Sequence, residues 1–312
     1  MRLSRRLATS ALGLACTGAV VAAALAAGGS TTVVARIETG QGPCSETGGF
    51  GAVWVGVNRD GRLARIDPAT NAVTGSVGVG LGPCGVAVGA GSVWVDGYGS
   101  RSVIRVDPAT MKVIKRISLP DQIWDVTFGA GAVWATEPSL GYVIRINPKT
   151  NRVGRRIPIR GYSPANLRYG GGAVWVGVLT GRRVFRINAR TNAVSSVRVG
   201  DGPRSLAVTS SAIWVSNRLS STVSRIEPRT RKVVATIRVG NQPENAAVAS
   251  DGTVFVPNLG ADTVSRIDPA TNRVIETIAV GNTPYPAASA FGDIWVPSAG
   301  GSEIYRLHIG GS

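Results

Sequence analysis

The chain has 312 residues, 44% apolar and 6% aromatic, which is enough for a sizeable core in one large or two ordinary domains. Its 34 basic and 18 acidic residues give a formal charge of +16, a balance that favours an acidic ligand or an anionic surface. Nucleic acid is not expected as a partner, because there is no Lys/Arg-rich block and no interleaving of aromatic with basic side chains.

Residues 1–27 read as a secretory signal peptide. Arg2, Arg5 and Arg6 precede an Ala/Leu/Val-rich run from Leu7 to Ala27, and Ala24-Leu25-Ala26 offers small residues for cleavage. A retained membrane anchor is the alternative, since the run approaches the ~20 residues a spanning helix needs. Without the three signal arginines the chain keeps 31 basic against 18 acidic residues, a charge of +13. The folded part is then residues 28–312, expected to be secreted or held in the cell envelope.

Next comes Thr31-Thr32-Val33-Val34-Ala35-Arg36-Ile37-Glu38-Thr39-Gly40, which matches a later segment, Val233 to Gly240. From there the chain repeats itself. The stretch Leu63 to Val73, with Arg-Ile-Asp-Pro-Ala-Thr-Asn at its centre, recurs from Val103, Val143, Val184, Val223 and Val264, and begins again at Glu303. Its arginine falls at Arg65, Arg105, Arg145, Arg186, Arg225, Arg266 and Arg306. A second marker keeps step: Trp54, Trp94, Trp134, Trp175, Trp214, Phe255 and Trp295. Seven units of ~40 residues, each made of short alternating segments, predict an all-β fold, a seven-bladed β-propeller with four strands per blade.

In the fifth unit, strand A is Pro203 to Val208, strand B Ala212 to Ser216, strand C Thr222 to Glu227 and strand D Val233 to Val239. Alternation puts Ile213 and Val215 against one neighbouring blade and Trp214 against the other. The Asp-Pro-Ala-Thr-Asn segment is a tight turn: Asp accepts backbone N–H groups, Pro presets φ, and Asn tolerates the left-handed conformation. The repeated Arg is expected to bond carbonyls or acids of an adjacent blade; the alternative is a basic ring for an anionic polymer. The last unit stops after strand C, so the N-terminal strand, residues 31–39, should complete the seventh blade and remove both open edges.

These units resemble the YVTN-type propeller repeat and the repeats of the streptogramin B (virginiamycin B) lyase-like proteins over about residues 31 to 310. The carriers are Gly-Pro before strand A, Val-Trp-Val in strand B and the Arg-Ile-Asp-Pro-Ala-Thr-Asn turn. The resemblance implies the fold, and for the lyases a histidine base, a nearby glutamate and magnesium. This chain has one histidine, His308, at the end of strand C of the last unit and away from the expected channel. That pattern assigns no catalytic residue. No Gly-x-Ser-x-Gly elbow and no His/Cys cluster is present, so no metal and no cofactor are expected.

Comparison of the units locates the variable positions. After Gly-Pro, where strand A enters the central channel, the seven units carry Cys44, Cys84, Trp124, Ala165, Arg204, Glu244 and Tyr285. The next position includes Asp125 and Asn166. A ring of aromatic, basic, acidic and amide groups suits a polar or anionic ligand with apolar parts, and the candidate binding residues are Trp124, Asp125, Asn166, Arg204, Glu244 and Tyr285. A plain solvated mouth is the alternative. The loops between strands B and C, with Asp60, Tyr98, Glu137, Arg182 and Asn217, should rim the same face. Cys44 and Cys84 occupy matching positions in consecutive units, and either form a disulfide between blades one and two or remain two free thiols. Glu46 stands where other units have Val, Leu or Ala; it either meets a partner between blades or marks slippage of the first strand A. The expected role is a monomeric, non-enzymatic binding scaffold acting on a soluble ligand or a cell-envelope partner. The alternative is a lyase-like enzyme with a degenerate or unrecognised active site at that face.

Overall fold

The computed structural model describes residues 29–310, so the expected signal segment, residues 1–27, lies outside the described residues. The described residues form seven four-stranded antiparallel sheets. The first blade is typical: Pro43–Gly49, Ala52–Val57, Arg62–Asp67 and Ala72–Gly78 run from the channel to the outer edge. Strand B is buried, whereas strand D is largely exposed, which is why charges crowd the D strands and are few in the B strands.

The ring is closed by the N-terminal strand. Strand β1 (Thr31–Glu38) pairs antiparallel with the last strand, Glu303–Ile309, from Thr31 opposite Ile309 to Glu38 opposite Glu303. The seventh blade is therefore built from both ends of the described chain, and neither end leaves an unpaired strand within it.

The core is not one cluster but seven, one in each seam between blades. Trp54 packs against Val86, Val93 and Val95 of blade 2, whereas Val53 and Val55 pack against Trp295 of blade 7. The same division holds in blade 5, where Ile213 and Val215 face blade 4 and Trp214 faces blade 6. Period-two alternation along strand B thus sends the large ring one way round the circle and the branched aliphatics the other. Each buried indole also needs a hydrogen-bond acceptor. Trp54, Trp94, Trp134 and Trp295 donate Nε1–H to the carbonyl of Gly49, Gly89, Gly129 and Ala290, at 2.9 to 3.0 Å, in the turn between strands A and B.

The repeated turn and the repeated arginine form one device. In the first copy, Asp67 Oδ1 accepts the Ala69 N–H at 2.8 Å, the Asn71 N–H bonds Asp67 O at 2.9 Å, and Asn71 sits at φ 57°. In four blades the arginine reaches the corresponding turn of the next. Arg105 Nη1 donates to Pro148 O (2.8 Å) and Asn151 Oδ1 (3.1 Å). Arg225 does the same with Pro269 and Asn272, and Arg306 with Pro68 and Asn71. Arg145 reaches only Ala189 O, at 3.3 Å. Arg266 has no such turn ahead of it in blade 7 and bonds Gly29 O at 2.6 Å instead. These five guanidinium groups lie 5.0 to 5.5 Å above the aromatic ring of strand B in their own blade.

Two junctions lack the clamp. The turns facing Arg65 and Arg186 end in Met111 and Arg231 rather than Asn, both still in the left-handed conformation (φ 57° and 58°). Neither residue offers a side-chain oxygen, and Arg65 Nε is buried without a hydrogen bond. The arginine motif alone therefore does not make the two-point contact, which is seen only where the turn of the next unit ends in Asn, and not in every such turn, since Asn192 Oδ1 is left without a partner.

Candidate functional site

Strand A carries each unit's variable residues from the channel mouth inwards. At the mouth, Cys44, Asn58, Gly82, Cys84, Asp96, Tyr98, Trp124 and Tyr285 enclose a cavity of about 320 Å³. Tyr98 and Trp124 meet edge to face with ring centroids 5.8 Å apart. Cys44 and Cys84 are joined by a disulfide, their Cα atoms 5.0 Å apart, because equal positions on neighbouring inner strands converge near the axis.

Arg204 binds this wall to a charged cluster. Its guanidinium lies 4.9 Å from the Trp124 ring centroid and 5.6 Å from that of Tyr285, donates to the Tyr285 hydroxyl, and approaches Glu244 at 3.6 Å. Arg218 also pairs with Glu244, and donates to Gln242 Oε1 at 2.8 Å. Glu244 is 1% exposed and takes a further bond from Ser205 Oγ at 3.1 Å. Two guanidinium groups therefore share one carboxylate. Burial, and then the Arg204 charge, pull Arg218 below the ordinary guanidinium range. Asp96 is poorly placed to offset the surplus. Its Oδ1 accepts the Cys84 N–H at 2.6 Å and its Oδ2 has no partner, and burial pushes its carboxyl well above the usual carboxylate range, which disfavours a negative charge there. The mouth is left with aromatic walls, a buried acid whose charge is disfavoured, and two guanidinium groups on one carboxylate.

Asp125 and Asn166 lie one residue deeper, in a buried waist. Asp125 Oδ2 accepts the Leu167 N–H (3.0 Å) and a bond from Arg168 Nη1 (2.7 Å). Asn166 Oδ1 lies 3.5 Å from Ser205 Oγ. Both tie inner strands of adjacent blades together. Gly85 permits the tight approach, since a Cβ there would come within 2.6 Å of Asp125 Oδ1 and 2.9 Å of its Cα.

Of the loop residues expected on the rim, Tyr98 lines the cavity. Asp60 caps the Gln41 N–H, Glu137 is fully buried against Arg156, Arg182 pairs with Asp201, and Asn217 is fully buried between Thr222 and Ser224. Arg218 and Asp96 were missed by the comparison of strand-A positions. Arg218 follows Asn217 in the loop between strands B and C. Asp96 interrupts the apolar pattern of a strand B, which is the signal that points to it. His308 lies opposite Thr32 at the edge of the seventh blade, with Nδ1 2.6 Å from Asp293 Oδ1. Among the described residues no cluster of three His, Cys, Asp or Glu side chains is arranged to hold a metal ion.

No protein-family model and no curated protein sequence matches the chain. Solved structures do match in shape. A streptogramin B lyase superposes with a TM-score of 0.80 at 14% identity, over 90% of this chain and 98% of that one. The catalytically inactive H270A virginiamycin B lyase from Staphylococcus aureus with quinupristin gives 0.79 at 16% identity, over 89% and 99%. The WD40 propeller domain of Doa1 gives 0.74 at 12% identity, over 89% and 96%. At such identities the likeness is one of fold, and the chain is a seven-bladed β-propeller with the architecture that the streptogramin B lyases share.

Proposed function

We propose that the protein is an exported, non-enzymatic binding scaffold that takes an anionic ligand with a planar apolar part at the channel mouth. The observation that carries this reading is the shared carboxylate. Arg204 and Arg218 both lean on Glu244, and the remaining positive charge stands beside Trp124, Tyr98 and Tyr285. A ligand carboxylate or phosphate would complete the charge count, and its apolar part would lie against the rings. Export rests on the basic start and apolar run of residues 1–27 and on the paired Cys44 and Cys84.

The test is calorimetric titration with aromatic carboxylates and phosphates, each beside its uncharged amide or ester. The charged member should bind, and Arg204→Ala should weaken it by about 2 kcal/mol, roughly thirtyfold. Equal binding of the uncharged members, or binding indifferent to Arg204→Ala, would overturn the reading. A lyase-like enzyme is the second reading, supported by the fold neighbour that carries quinupristin. Loss of quinupristin on incubation with the protein would replace the scaffold by the enzyme.

A further inference from the structure

The channel has a second cavity, of about 410 Å³, at the end opposite the mouth. Its wall is strand A of all seven blades, mostly Ala, Val and Thr. Two positions break that wall. Glu46 stands where other units carry an aliphatic residue such as Val86 or Leu206, and Arg168 stands where they carry Ala or Thr. Both line this same cavity.

The two groups are opposite in formal charge, yet they do not pair. They project from blades 1 and 4, which lie on opposite sides of a seven-membered ring. Arg168 directs Nη1 to Asp125 Oδ2 and to Leu167 O, both at 2.7 Å, while its Nε and Nη2 make no hydrogen bond. Glu46 is 5% exposed; neither oxygen makes a hydrogen bond of ordinary geometry or pairs with another side chain, and only the backbone of Ala288 and its own backbone lie against the carboxyl. A buried carboxyl without a partner is a cost to the fold that an aliphatic residue would avoid, as it does in the other six units. The cavity thus presents an unsatisfied acid on one side and the open edge of a guanidinium on the other, with small apolar side chains between them.

We infer that this cavity is a site for a small zwitterion of the amino-acid class, its carboxylate on the free edge of Arg168 and its ammonium on Glu46. The span between the two groups would be filled by the ligand's own backbone, and its side chain would lie against the Ala and Val wall. Burial holds the empty Glu46 well above the usual carboxylate range, with the Arg168 charge opposing. An arriving ammonium would reverse that balance. Glu46 would ionise against it and pass the proton it holds to solvent, so binding is accompanied by proton release.

The experiment is isothermal titration of the intact protein with the twenty free amino acids at pH 7, in two buffers of different ionisation enthalpy. Acetate and methylammonium serve as single-charge controls. At least one amino acid should bind with a buffer-dependent heat corresponding to proton release, and neither control should match it. Glu46→Gln, close in shape, should abolish the proton release and weaken binding at least about tenfold. Arg229→Ala, on an exposed outer turn, should leave binding unchanged. The inference is overturned if no amino acid binds at millimolar concentration, if Glu46→Gln binds as well as the parent, or if acetate binds as tightly as the amino acid. A circular dichroism spectrum and a cooperative melt of Glu46→Gln establish that any loss of binding is not a loss of fold.

Discussion

The arginine clamp can be repaired where it is missing, and Arg231→Asn is the sharpest trial. Arg231 is exposed, sits at φ 58°, and ends the turn that faces Arg186. At the equivalent places Asn151 and Asn272 hold φ 56° and accept from the arginine of the preceding blade. Replacing a long L-residue by Asn in the left-handed region should return about 1 kcal/mol. A new bond to the half-buried Arg186 guanidinium should add about 1 kcal/mol, a charged hydrogen bond discounted for its exposure. The side chain removed makes no hydrogen bond to replace. The sum, about 2 kcal/mol, corresponds to a rise of roughly 3 to 4 °C in Tm for a domain of this size. Differential scanning calorimetry reads it directly. In an Arg186→Ala background the gain should fall by about half, since only the backbone term survives. A rise that is the same in both backgrounds, or no rise at all, would refute the claim that asparagine and arginine act as a pair across the seam.

Other outcomes follow from the same contacts. Cys44→Ser with Cys84→Ser opens a crosslink between residues 40 apart, and should cost about 4 kcal/mol in denaturant unfolding under oxidising conditions. Deletion of Thr31–Glu38 unpairs the last strand, and should abolish the single cooperative melt and produce oligomers by size-exclusion chromatography. Glu46→Val should raise Tm at pH 7. In the fold Glu46 stays protonated above its ordinary value of 4.5, whereas the unfolded chain releases that proton. Its contribution to stability is therefore full below about pH 4.5 and is lost as pH rises through the folded value, and Asp96 acts in the same sense. Tm measured from pH 4 to 8 should accordingly fall less steeply in Glu46→Val than in the parent. A parallel curve would show that the acid is not held neutral.

The frame of this molecule is legible in its sequence because each unit repeats the same local chemistry. The Trp of strand B, the Asp-Pro-Ala-Thr-Asn turn and the strand-D likeness of residues 31–40 each point to one place, and the blades, the seams and the closing strand lie there. The site was less legible, for a geometric reason. A strand position names a depth along the channel, but not whether the side chain faces the opening or the neighbouring strand. Trp124, Arg204, Glu244 and Tyr285 gather at the mouth, while Asp125 and Asn166, one residue on, turn into the waist. Arg218 escaped notice because a loop, unlike a strand, gives no period from which to read direction. Glu46 was visible as a departure, but its counterpart Arg168 lies three blades away, and proximity across a closed ring leaves no mark in sequence spacing.

The disulfide falls in one of the two seams that lack the clamp. Blades 1 and 2 lack the arginine bond because the turn of blade 2 ends in Met111, and it is these two blades that Cys44 and Cys84 join. The other seams that keep their clamp need no covalent link. Without the disulfide this seam is held by the packing of Trp54 and Leu63 against Val86, Val93 and Val95 and by the Asn58 amide on Pro83 O, with no arginine clamp to add to them. Both cysteines also line the mouth cavity. The crosslink that stands in for the clamp thus also fixes one wall of the channel mouth, so the bond that ties the two blades shapes the cavity between them.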